Sequence, residues 1–338
     1  MRKKYIVSLH EDRADNTAGS KAKDDITSIL RHDGYTDLPL YLSDNKVKSI
    51  SKNFVSLGKA LLLTNVDTIV FQYPIYSAIS TKMFLMFLNM KKATRKVCFV
   101  HDVESIRDHA DSVQTNRERD VLNQFDCLIV HNAQMRTFLT KMGVVTPMVE
   151  IELFDYLNTE PMIKHPNRYL TFAGNLKKAA FLGKLNVSTP MKIFGPNLLD
   201  AYPETIKYEG SFSPEELSAH LDGRLGLIWD GDSPRTGAGI YGKYMRINNP
   251  HKASLYISMG IPVIVWSEAA IAEAVDKFQV GISLDTLTNL DSELAGISED
   301  RYAHLKENAE QLGEKLRQGF FTLRALNRAL VLSSERHI

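Results

Sequence analysis

Short apolar runs rich in β-branched and aromatic residues recur along the first half of the chain, at KYIVSL (4–9), LPLYL (38–42), DTIVFQY (67–73), KVCFVH (96–101) and DCLIVH (126–131). Between them lie stretches whose apolar positions repeat at helical spacing, over 20–32, 46–63, 78–92 and 133–142. Such alternation predicts parallel strands covered by helices on both faces. The segment DYLNTEPMIKHPNR (155–168) breaks the series with two prolines and no periodicity, and marks a domain boundary. A second alternation follows, with strands expected at RYLTFAG (168–174), PMKIFG (190–195), GRLGLIWD (223–230), GIPVIVW (260–266) and VGISL (280–284). SPEEL (213–217) predicts a helix start, with Ser213 as cap and Pro214 at the first helical position. The C-terminal stretch reads as helical. The expected organisation is therefore two α/β domains, residues 1–157 and 158–315, and a helix over 316–338.

A length of 338 residues suits two cores rather than one. Lysine and arginine number 41 against 40 acids, so no global field recruits nucleic acid. Cys98 and Cys127 each sit within an apolar run, which predicts packing, a reducing compartment and no metal set. The basic start MRKKYIVSLH is too short in its apolar part for a signal peptide and reads as the first strand, so a cytoplasmic location is expected. The stretch TKMFLMFLNMKKATRK (81–96) falls short of the roughly 20 residues that span a bilayer. Its apolar residues crowd all round a helix, which favours burial. The flanking Lys91, Lys92, Arg95 and Lys96 keep peripheral contact with the inner face of a membrane as the alternative.

Candidate chemistry gathers where strands end, the edge at which open α/β sheets bind ligands. FVHDVESIRDH (99–109) delivers His101, Asp102 and Glu104 there, either as a turn and helix cap or as a catalytic edge. In TFAGNLKKAAFL (171–182), Gly174 and Asn175 lead into Lys177 and Lys178 at an expected helix start, a pattern that suits a diphosphate or a solvated basic face. In NNPHKASLYISMGIPVIVW (248–266), Asn249 or Asn248 is the expected cap of a helix with Lys252 in its first turn. A cation there is misplaced against the helix dipole unless an anion sits nearby. GLIWDGDSPRTGAGIYGKY (226–244) offers Trp229, Asp230 and Asp232, then glycines that suggest a mobile loop. Its Asp-Gly-Asp is explained by turn chemistry without a metal. Thr17, Gly19 and Ser20 stand where the first helix begins, and Tyr73 ends a strand, so these line an expected acceptor cleft or serve as caps and core. No P-loop, G-x-G-x-x-G after the first strand, or H-E-x-x-H occurs, which removes ATPase, dinucleotide dehydrogenase and zinc protease readings.

Two doubly wound Rossmann-like domains facing a cleft, with a final helix crossing back to the first, match the α/β architecture called GT-B, which hosts many functions. The ordered set FVHDV, FAGN, GLIWD, HKASLYISMGIPVIV and LRQGFFTLRAL resembles the bacterial family that contains the third glucosyltransferase of serine-rich-repeat adhesin glycosylation and β-1,6-galactofuranosyltransferases. The resemblance spans nearly the whole chain. It implies a metal-independent, cytoplasmic enzyme that passes a hexose, glucose or galactofuranose, from a UDP-sugar to a glycan acceptor, lipid-linked or protein-linked, with no cofactor and with inversion. It implies donor contacts at Lys178 and Lys252, and an aromatic base contact at Phe194 or its neighbour Gly195. The family's arginine is a lysine at 178, which keeps the charge and loses the bidentate fork. With the diphosphate on the second domain, Asp102 is the first candidate for the base that takes the acceptor proton, followed by Glu104 and His101. A catalytically silent partner of another transferase and a UDP-sugar epimerase remain as alternatives. A homo-oligomer is compatible with the sequence, which fixes neither acceptor nor linkage.

Overall fold

A computed structural model of the chain describes residues 2–11, 18–43, 45–91, 93–107, 111–237 and 239–335. The chain divides into two compact units, Met1–Ile151 with Phe321–Ile338, and Glu152–Phe320.

In the first unit the strands are β1 (Lys3–Glu11), β2 (Thr36–Leu42), β3 (Val66–Tyr73), β4 (Arg95–Val100), β5 (Cys127–Val130) and β6 (Met148–Glu150). They form one sheet in the order β2-β1-β3-β4-β5-β6, and every pair is parallel. The connecting helices are α1 (Ala18–His32), α2 (Lys46–Leu57) with a π-helical turn over Gly58–Leu62, α3 (Ala78–Asn89), α4 (Glu104–Arg107), α5 (Ser112–Leu122) and α6 (Ala133–Lys141). The strands in the middle of the sheet are apolar on both faces because helices cover both. Phe71 stacks on Phe84 of α3 and on Phe125, and Cys98 and Cys127 are buried packing residues.

The second unit repeats the plan with β7 (Asn167–Ala173), β8 (Met191–Phe194), β9 (Ile206–Gly210), β10 (Gly223–Ile228), β11 (Val263–Trp266) and β12 (Gly281–Leu284). Their order is β12-β11-β10-β7-β8-β9, again all parallel. Its helices are α7 (Pro214–His220), α8 (Gly239–Tyr244), α9 (His251–Ser258), α10 (Ile271–Phe278), α11 (Leu290–Ala295) and α12 (Glu299–Arg317). Helix α7 starts as expected, with Ser213 and Glu216 forming a reciprocal capping box. The last helix, α13 (Phe320–Glu335), falls almost wholly within the first unit.

The order of the second sheet reverses direction between β7 and β10, and such a switch point is where open α/β sheets bind ligands, at the C-terminal ends of the strands. Helix α9 is locked beneath that point. The fully buried Tyr256 accepts a hydrogen bond from the Ala173 N–H at 2.6 Å, and its ring lies where a side chain on Gly226 would stand. A Cβ at Gly226 would come within 2.4 Å of the ring. Gly226→Ala is therefore expected to lower stability by about 1–3 kcal/mol, read as a shifted urea midpoint.

Candidate functional site

At the switch point of the second sheet, Gly174 follows β7 and Asp230 stands just beyond β10. Lys252, in the first turn of α9, reaches across to them. Its Nζ lies 2.7 Å from Asp230 Oδ1 and 3.2 Å from the Trp229 carbonyl, and 4.7 Å above the Phe172 ring. The anion that excuses a cation at this helix start is thus supplied by the chain itself. The cap position falls on neither Asn248 nor Asn249. Pro250 occupies the cap with no side-chain bond, and Asn249 instead donates to the Glu152 carbonyl at 2.5 Å.

The neighbouring strand ends are stripped of side chains. The Gly174 N–H donates to the Phe194 carbonyl at 3.0 Å, and the Gly195 N–H to the Gly210 carbonyl at 2.9 Å. A Cβ at Gly195 would lie 1.8 Å from the Gly174 oxygen, so only glycine permits this approach. The result is a bare backbone surface over the ends of β7, β8 and β9. Beside it stands Phe212, half-exposed and stacked on His220 with centroids 3.7 Å apart.

Lys177 and Lys178 lie on a short 3₁₀ turn, Leu176–Lys178, rather than at the start of an α-helix, because Asn175 caps the turn through the Lys177 N–H. Lys178 is tied to the same crevice. Its carbonyl accepts from the Gly231 N–H at 2.8 Å, and its ammonium sits 5.0 Å above the Tyr241 ring. The expected contacts through Trp229 and Phe194 meet a different geometry, since both rings are buried. The Trp229 indole donates to the Ser233 carbonyl, and Phe194 packs against Phe212. The glycines expected to make a mobile loop instead allow close packing: a Cβ at Gly237 would strike the Trp266 ring, and one at Gly242 the Gly237 backbone.

In the first unit, the acids and the imidazole at the end of β4 separate into distinct environments. His101 is buried with Nε2 2.9 Å from Gln72 Oε1. Asp102 is half-buried and accepts from the Tyr76 hydroxyl at 3.1 Å. Glu104 accepts from the Tyr73 hydroxyl at 2.8 Å. Glu118 of α5, almost fully buried, receives the backbone N–H groups of Glu104 and Ser105 and so caps α4. Burial raises the Glu118 carboxyl above its usual range. Burial and the Glu118 and Glu104 carboxylates push the Tyr73 hydroxyl far up, which keeps it a donor to Glu104. Tyr73, Tyr76, Glu104 and Glu118 line a groove of about 1290 Å³ between α3 and α5, to which His101 and Asp102 do not contribute. Gly19 and Ser20 lie in the first turn of α1, and Thr17 lies outside the described residues.

Behind Asp102, burial lowers His131 to about 4, while the Asp102 charge and the His101 and Val100 carbonyls pull the other way. A histidine held neutral in the fold binds its proton more readily when unfolded. Its contribution to stability is present above the unfolded value of 6.5 and is lost as pH falls from there towards 4. The full loss is about 3 kcal/mol. Thermal unfolding between these limits should fall more steeply for the wild type than for His131→Gln.

The description "Glucosyltransferase 3-like, N-terminal domain" matches residues 3–153, and the C-terminal counterpart matches 170–329. The chain belongs to the glucosyltransferase 3-like family. It is 29% identical to the β-1,6-galactofuranosyltransferase WbbI of Escherichia coli K12, covering 94% of this chain and 95% of that one. It is 26% identical to glucosyltransferase 3 of Streptococcus gordonii, covering 90% and 92%. Among solved structures, sucrose-phosphate synthase of Thermosynechococcus elongatus superposes with a TM-score of 0.67 at 11% identity, covering 98% and 99%. Anabaena HepE, solved with UDP, gives 0.64 at 12% identity, covering 98% and 100%. The two Rossmann-like units are those of the GT-B fold, and the protein is a hexosyltransferase of this family. Its sequence motifs did not announce Tyr76, Glu118, Tyr241 or Phe212. An aromatic just beyond a strand end was the available signal for Tyr76 and Phe212, and nothing singled out Glu118 within the charged run NRERD.

Proposed function

We propose that the protein transfers a hexose, galactofuranose or glucose, from a UDP-sugar to a glycan acceptor of cell-surface polysaccharide or glycoprotein synthesis, with inversion and without a metal. The observation that carries this reading is Lys252, held at the switch point of the second sheet beside bare glycine backbone. A diphosphate suits that place because two lysines, Lys178 and Lys252, stand beside glycine backbone that carries no side chain. Lys252 and Lys178 would stabilise the charge that grows on the departing diphosphate, the part a divalent ion plays in other transferases. The uracil would lie against the Gly195–Gly210 surface with Phe212 at its edge. Asp102 of the first unit would take the proton of the acceptor hydroxyl, with Glu104 anchored by Tyr73 beside it. The names of the relatives support a transferred glucosyl or galactofuranosyl group, and the UDP bound in HepE supports the donor class.

The test is UDP release from a panel of UDP-hexoses, with and without glycan acceptors and with a chelator. Release that requires one donor and one acceptor and survives chelation is the expected result. Donor binding without release from any pairing would make the protein a silent partner, and conversion of the donor without acceptor would make it an epimerase. Phe212→Ala should weaken UDP binding by about 1 kcal/mol, roughly fivefold, by calorimetry.

A further inference from the structure

Helix α2 is built inside out. Its buried positions are Ser49, Asn53 and Leu57, and Asn53 is wholly enclosed. The reason lies in β2, the edge strand of the first sheet, whose outer backbone groups need partners. Asn53 accepts from the Tyr41 N–H at 2.6 Å and donates to the Tyr41 carbonyl at 2.9 Å, and Ser56 donates to the Pro39 carbonyl at 3.1 Å. The polar side of the helix is consumed in sealing the sheet edge, which leaves its apolar residues outside. Val47, Ile50 and Phe54 follow one another at helical spacing, with Val47 77% and Phe54 54% exposed. The π-helical turn leads into Leu63, 79% exposed. Phe54 meets Phe87 of α3 edge-on at 5.3 Å, and Met90 at the end of α3 is 60% exposed.

The segments that build this surface are basic, although Arg95 is already paired with Asp67 at their border. Residues 45–66 contain Lys46, Lys48, Lys52 and Lys59 and no acid, and residues 78–96 contain five basic residues and no acid, in a chain whose net charge is only +1. An apolar stripe flanked by lysines is the composition of a helix that lies in a lipid interface. We propose that the outer face of α2, its π-helical turn and the end of α3 form a docking surface for an anionic lipid bilayer. A second copy of the chain fits this face poorly, because a two-fold contact would set lysines against lysines. Nucleic acid would leave the apolar stripe in water. The sequence favours burial of 81–96 and keeps membrane contact there as the alternative; α3 does spend Phe84, Phe87 and Leu88 on the core, so the centre of the surface lies on α2. The proposal is independent of the donor chemistry.

Co-sedimentation with phosphatidylcholine vesicles, plain or containing about 30% phosphatidylglycerol, tests it. The wild type should sediment with the anionic vesicles at low salt, stay in solution with the plain ones, and be released at about 0.5 M salt. Lys48→Ala combined with Lys59→Ala changes two exposed side chains and should weaken binding about 25-fold, at roughly fivefold per lysine. Phe54→Ser should weaken it about tenfold. Circular dichroism melting checks that both variants stay folded. Failure to sediment at low salt, equal affinity for plain vesicles, or unchanged binding of the folded lysine variant would overturn the proposal. A dimer in light scattering that Phe54→Ser converts to monomer would assign the face to a second copy and overturn it equally.

Discussion

Replacing Lys252 by alanine is expected to lower kcat/KM with the UDP-sugar by about 10²–10³, the scale of losing one group that meets developing negative charge. The side chain is held by Asp230, by the Trp229 carbonyl and by the Phe172 ring, so its ammonium is in place before any ligand arrives. Preorganisation of this kind is what lets a cation act on the transition state without first being reordered. The substitution also strands the Asp230 carboxylate in a largely covered site, which costs about 1 kcal/mol of stability after allowance for its remaining exposure. The paired change Lys252→Ala with Asp230→Ala separates the two effects: stability should return while activity stays down. Activity of the single variant within about threefold of wild type would reduce Lys252 to a structural role.

Asp102→Asn is expected to lower kcat by about 10²–10⁴ with little change in the KM for the donor, since the amide cannot take the acceptor's proton. Glu104→Gln should cost far less, because the Tyr73 hydroxyl already occupies that carboxylate. The reverse ranking would transfer the base to Glu104. The Asp102 variant carries a second signature. Loss of the Asp102 charge removes one of the influences that raise His131, so His131 should titrate still lower and acid unfolding should begin from a correspondingly altered baseline.

Much of the architecture was legible because central parallel strands are apolar on both faces and therefore stand out as runs. The two strands that escaped notice show the limit of that signal. β6 has only three residues, and β9, at the edge of its sheet, reads IKYEG with one buried position. The position of Lys252 was readable from its place before an apolar helix, whereas its partner was not. Asp230 lies 22 residues earlier, and only the parallel crossover brings the two together. Asn248 and Asn249 have the right residue type for a cap, but the proline takes the cap position and Asn249 donates to the Glu152 carbonyl. Glycine carried two meanings that sequence alone does not separate. Gly195 and Gly174 open a surface, while Gly237 and Gly242 close one by packing. Helix α2 defied its own pattern for a reason outside itself, the open edge of β2.

The chain leaves the first unit after Ile151 and returns to it at Phe321, so the second unit is an internal cassette with two junctions. The matched C-terminal family region ends at residue 329 and so runs past the second of these junctions. Exchanging donor specificity between relatives by joining N- and C-terminal halves would therefore import a foreign α13 into the first unit's core, where Phe321, Ala325 and Leu326 are buried. Grafting residues 152–320 as an insert keeps that helix with its own sheet.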